Sequence, residues 1–87
     1  MTFDIPYAQL TEVSEFWQER LPMCACEEMG ELIQAISKRS RGELGSTEKV
    51  AKEMADVIIS IAALCRYYDI SFYYVNELIK EKSKKKY

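Results

Sequence analysis

Two short pairs of carboxylates are the residues of this 87-residue chain whose types and spacing can do chemistry. They are Glu28 and Glu31 in Cys26-Glu27-Glu28-Met29-Gly30-Glu31-Leu32, and Glu53 and Asp56 in Lys52-Glu53-Met54-Ala55-Asp56-Val57. Each pair is spaced i, i+3, so a helix carries both side chains on one face. The second pair borders the most apolar stretch of the chain. Aspartate is a poor helix-interior residue, and an unpartnered carboxylate beside apolar sequence must lose its charge or find a cation. Lys49 and Lys52 can pair with Glu53 but are less well placed for Asp56. A divalent metal drawing ligands from two antiparallel helices accounts for both pairs at once, and such a site suits phosphate chemistry.

The chain has no histidine. That excludes a Ser-His-Asp or Cys-His nucleophile, histidine-ligated zinc and the Glu-x-x-His ligands of di-iron bundles. An all-oxygen ligand set favours Mg²⁺, with Mn²⁺ as a substitute. Three cysteines, Cys24, Cys26 and Cys65, complete no zinc pattern and read as reduced packing residues. With no basic start followed by an apolar run, the expected location is the cytoplasm. The longest apolar stretch, Val57 to Cys65, contains Ser60 and is too short to span a bilayer, so no membrane partner is expected. The net charge of −2 gives no general case for nucleic acid. Five lysines in the last eight residues read as a solvated helix end, with phosphate contact as the alternative.

Helical periodicity runs through nearly the whole chain, and strand-like alternation is nowhere sustained. The expected fold is all-α, with four helices over about residues 6–20, 22–40, 47–68 and 71–84. In the first, Leu10, Val13, Phe16, Trp17 and Leu21 recur at helical spacing. Pro22 suits the first position of the second, whose core face is read as Ala25, Met29, Leu32, Ile33 and Ile36, with Glu28 at its border. Glu27 and Glu31 lie away from that face. Two glycines in Ser40 to Ser46 mark a loop, and Ser46 is placed to cap the third helix. From Met54 to Cys65 that helix is apolar almost all round, so its burial calls for a second subunit. Asp69 or Ser71 can cap the fourth. One domain over residues 1–87, completed as a homodimer or homotetramer, is expected.

Glu27-Glu28-x-x-Glu31, then twenty-one residues, then Glu53-x-x-Asp56, resembles the signature of the MazG-like all-α nucleoside triphosphate pyrophosphohydrolases. The apolar residues around both segments resemble that family too. The resemblance implies a MazG-like four-helix bundle that hydrolyses a (deoxy)nucleoside triphosphate between its α- and β-phosphates, with Mg²⁺, to monophosphate and pyrophosphate. It implies Glu28, Glu31, Glu53 and Asp56 as metal ligands. Glu31 would also orient or deprotonate the attacking water, with Glu27 acting from the edge of the site. Family members commonly carry Lys, Asn and Arg, four and three residues apart, on the fourth helix. Here Leu78, Lys82 and Lys85 stand at those places, a departure on the triphosphate side that leaves the carboxylates intact.

Lys82 and Lys85 can still neutralise phosphate as point charges. Asn76 is a candidate sugar or phosphate contact, or a solvent-facing helix residue. Lys38 ends the second helix with Arg39 and is either solvated or reaches phosphate. Trp17 fits the core line of the first helix and, alternatively, a platform for stacking a base. An oligomeric helical module of the same fold, binding nucleotide or a protein without hydrolysis, is the other reading.

Overall fold

The computed structural model describes residues 4–84, and every regular element among them is helical. α1 spans Tyr7–Trp17, a short 3-10 turn follows over Gln18–Arg20, and α2 spans Leu21–Ser40. α3 spans Ser46–Tyr67 and α4 spans Phe72–Ser83. The expected first helix therefore stops early. Gln18 takes a φ of 44°, a left-handed value costly for any residue with a Cβ, and breaks the helix there. Pro22 lies in the first turn of α2, where its missing N–H is not needed.

α2 and α3 end in the same way. The Gly42 and Glu43 N–H groups donate back to the Arg39 and Lys38 carbonyls, and the Asp69 and Ile70 N–H groups to those of Arg66 and Cys65. Both are Schellman motifs, with the left-handed position filled by Gly42 at φ 76° and by Asp69 at φ 56°. Asp69 thus closes α3 rather than capping α4. Ser71 is the cap of α4, its Oγ accepting from the Tyr73 N–H at 3.1 Å. Ser46 does not cap α3. That position belongs to Gly45, at φ 72°, while the Ser46 hydroxyl donates to the Glu43 carbonyl.

The loop of residues 41–45 turns α3 back along α2, and the two form the main packed unit. Leu21, Ala25 and Ala35 are buried on α2, and Glu53, Val57, Ser60 and Ala63 on α3. Alanine and serine at these places let the backbones approach closely. The α2 core line is therefore Leu21, Ala25, Glu28, Leu32 and Ala35, one position away from the expected one. Met29, Ile33 and Ile36 are exposed in the single chain. So are Met54 and Ile61, so α3 is not buried on every side within one chain.

α1 crosses near the far end of this pair. Leu10, Leu21, Ala62 and Ala63 form a buried cluster, with Ile5, Val13, Trp17 and Leu64 packed against it. Arg66 ties the end of α3 to α1, donating to Thr11 Oγ1 at 3.1 Å and lying over the Tyr7 ring. Phe16 stays outside the core at 85% exposed, against its expected place in the α1 line. α4 buries no residue at all. The radius of gyration, 14.6 Å, exceeds the roughly 12 Å of a compact chain of this length, as expected when one helix stands off.

Candidate metal centre

The carboxylates meet across the α2–α3 seam. Glu28 falls on the α2 core line, one turn below Leu32, and so faces α3. Glu53 falls on the α3 line with Val57 and Ser60 and is only 3% exposed. Asp56 precedes Val57 and turns towards solvent. One carboxylate oxygen from each of Glu28, Glu53 and Asp56 lies within 4.8 Å of the others. The deeply buried member is thus Glu53, and Asp56, expected to be embedded, is exposed. The apolar sequence around Asp56 was misleading because its neighbours bury other faces of the helix.

Glu31 and Glu27 are exposed on the same side, and the charges of both act on Glu28. Partial burial first, then the negative charges of Glu31, Asp56, Glu53 and Glu27, push the Glu28 carboxyl above its ordinary range. Glu53 moves the other way. Lys49 Nζ lies 2.7 Å from Glu53 Oε1, one turn back on α3, and this hydrogen bond is the main cause that holds Glu53 below the usual carboxylate range. The same contact raises the Lys49 ammonium. Of the two lysines expected to be able to pair with Glu53, it is Lys49, at i, i+4 spacing, that does so.

Two oxygens remain without a partner: Glu28 Oε2 and Glu53 Oε2 are buried and accept no hydrogen bond. Buried oxygens of this kind need a donor or a cation. Their orphaning, with the mutual closeness of three carboxylates, fits a hard divalent cation. The donor set is all oxygen.

Among the described residues, none of Trp17, Lys38, Asn76 and Lys82, expected to hold the rest of a nucleotide, is bonded to the carboxylates. Trp17 packs on the α1–α3 core cluster, which is the core reading of that residue, and its remaining edge lines an open surface pocket with Glu12, Val13, Glu15 and Phe16. Lys38 is exposed near the end of α2, two turns beyond Glu31. Its neighbours Arg39 and Arg41 bond to Thr47 and Ser37 instead of converging on the site. Asn76 and Lys82 are exposed on α4, and Lys85 lies outside the described residues. Of the cysteines, Cys65 is buried, its thiol pushed up by burial, Cys24 is half-buried and Cys26 is exposed rather than packed.

Helices as the sole regular elements of the described residues, with carboxylates of the two central ones brought together, define a class, and comparison with known families gives the same answer. A family model described as the MazG nucleotide pyrophosphohydrolase domain matches residues 16–87. The chain belongs to this family. No curated protein and no solved structure matches it.

Proposed function

We propose that the chain is a Mg²⁺-dependent nucleoside triphosphate pyrophosphohydrolase that cleaves a (deoxy)nucleoside triphosphate to the monophosphate and pyrophosphate. The observation that carries this reading is the trio Glu28, Glu53 and Asp56, with oxygens within 4.8 Å of one another on two packed helices of a MazG-family chain. Glu28, Glu31, Glu53 and Asp56 would hold the metal, and Mn²⁺ would substitute. When bound, a divalent ion neutralises phosphate oxygens and lowers the pKa of bound water. Glu31, exposed at the mouth of the cluster, orients the water and accepts its proton as the water oxygen attacks phosphorus. The bond between the bridging oxygen and the attacked phosphorus breaks, and pyrophosphate leaves. Glu27 acts from the edge of the site. Phosphoryl transfer of this kind needs charge neutralisation and positioning rather than a covalent nucleophile, which suits a chain without histidine.

The substrate side belongs to the same proposal. Lys38, Lys82 and Lys85 contact phosphate, Asn76 contacts sugar or phosphate, and Trp17 meets the base through its open edge. The domain is taken as residues 1–87, acting in the cytoplasm as a homodimer or homotetramer. None of the described helices is long and apolar enough to cross a membrane. The test is pyrophosphate release from a panel of NTPs and dNTPs with Mg²⁺ and with Mn²⁺. No release with any nucleotide, together with an unchanged melting temperature on adding Mg²⁺, sinks the reading.

A second reading has one specific observation in its favour. α4 buries no residue and departs from the family's Lys, Asn and Arg pattern. A helical module that binds nucleotide or a protein without hydrolysis would share these features. Pyrophosphate production that disappears in Glu53→Ala rules it out.

A further inference from the structure

The proposed chemistry leaves one member of the metal centre without a task. Lys49 stands in the first turn of α3, and its Nζ lies 2.7 Å from Glu53 Oε1 on the same helix. The Glu53 carboxylate is buried, whereas the Lys49 side chain is 58% exposed, so the pair runs from the seam out to solvent. Glu53 Oε2, the other oxygen of that carboxylate, is buried and accepts no hydrogen bond. One carboxylate thus holds an ammonium on one oxygen and keeps the other unpartnered.

Among the described residues, no other lysine or arginine makes an ion pair with Glu27, Glu28, Glu31, Glu53 or Asp56. Arg39 and Arg41 bond to Thr47 and Ser37, and Lys80 pairs with Glu77 on α4. The charges of Glu31 and Asp56 also act on the Lys49 ammonium, so its field is that of the whole cluster and not of Glu53 alone. An ammonium has three N–H donors, and Glu53 is the one partner found for this one among the described residues. The remaining donors are at the open end of the pair.

A polyphosphate approaching these carboxylates meets like charge, which must be offset at the point of contact. Lys49 is the cation already there. While Glu53 is free, its charge holds the ammonium. Once Glu53 serves as a metal ligand, that charge is shared, and Lys49 is left as one cation beside another. A phosphate oxygen set between them relieves the repulsion and accepts the N–H that Glu53 gives up.

We infer that Lys49 is a phosphate-binding residue of this site: its ammonium, held by Glu53 in the ion-free chain, passes to a phosphate oxygen of the substrate when Glu53 serves as a metal ligand. This rests on the metal and nucleotide reading given above and adds to it a contact from α3, on the hairpin itself. The exchange needs no movement of the backbone, only a swing of one exposed side chain.

Isothermal titration calorimetry of the full chain tests it with two probes, Mg²⁺ alone and inorganic triphosphate at saturating Mg²⁺. Lys49→Met should tighten Mg²⁺ binding by about 10-fold, because a neighbouring positive charge is gone. It should weaken triphosphate binding by about 10-fold, because a charged hydrogen bond is gone. The opposite signs are the signature, since a merely structural ion pair would weaken both or neither. Lys52→Met removes the same charge from an α3 lysine that makes no ion pair among the described residues, and should move either affinity by no more than about 2-fold. Should Lys49→Met lose helicity by circular dichroism, Lys49→Gln serves instead and should shift both affinities in the same directions. An unchanged affinity for either probe on loss of Lys49 overturns the inference, and so does an equal change in Lys52→Met. If the wild type still releases pyrophosphate from a nucleotide, that result strikes Lys49 alone. A wild type that shows both shifts yet cleaves no nucleotide sinks the catalytic reading and leaves Lys49 a phosphate ligand. A wild type that binds neither probe overturns both.

Discussion

The α2–α3 hairpin and α4 are built from similar residues, yet only the hairpin holds like charges together. On α4, which buries no residue, Glu77 and Lys80 pair at 3.5 Å within one solvated helix. Such pairs contribute little and relax freely. On the hairpin, Leu21, Ala25, Ala35 and Val57 fix two backbones against each other, which holds Glu28 and the buried Glu53 in the seam with the exposed Asp56 at its edge. Chemistry that depends on crowded negative charge needs this second kind of support. A lone helix cannot supply it.

The contrast is best broken at the seam. Glu53→Ala should lower kcat by about 10³-fold while far-UV circular dichroism stays native. Activity near wild type would move the chemistry elsewhere. Leu21→Ala removes a side chain that is 1% exposed in the shared cluster. It should cost about 2–5 kcal/mol in chemical denaturation, and the helix pair and the site should be lost together.

On α4 the same size of chemical change should matter less. Lys82→Ala should raise KM by up to about 10-fold with little effect on kcat, the signature of a lost point charge rather than a lost ligand. An equal fall in kcat would place α4 closer to the reacting atoms than the hairpin comparison allows. Smaller still is Asp69→Gly at the end of α3. Relieving a left-handed aspartate should add about 1 kcal/mol to stability, because Gly42 already fills the equivalent place on α2 at no steric cost.

The finest test is one of sign, made on protein in EDTA. The Glu28 carboxyl is raised in the folded chain, so between its unfolded value, 4.5, and its raised value the native state binds more protons. The Glu28 contribution to stability is therefore fully present below 4.5 and is lost as pH rises through the raised value. Glu53, held low by Lys49, contributes in the opposite sense: its share is present above 4.5 and is lost as pH falls through the lowered value. Comparing melting temperatures of the wild type and Glu28→Gln across this range isolates the first effect. Glu28→Gln should flatten it.

Much of this was legible in the sequence. The i, i+3 pairs put their carboxylates on chosen helix faces, and the glycines at 42 and 45 bounded the turn that makes the two helices meet. What could not be read was the rotation of each helix about its own axis. Met29, Ile33 and Ile36 are more hydrophobic than Ala25 and Ala35, so hydropathy alone selects them as core. Close approach of two backbones selects the alanines. That difference of one position on α2 carries Glu28 into the seam and leaves the isoleucines outside. On α3 it is Glu53 that occupies the seam, and Asp56 looks towards water. The path of α4 was unreadable for a related reason: its apolar residues imply a partner surface but do not say where it lies.

Lys49 gives the site a further property. Its ammonium sits on the most deeply buried carboxylate and belongs to the same helix, so one counter-charge is always at hand. Any ion that takes Glu53 as a ligand competes with a tethered rival instead of rescuing a bare charge. The hairpin should therefore keep its shape through large swings in magnesium supply. On the proposed reading, scarcity of the ion would lower turnover before it cost the fold.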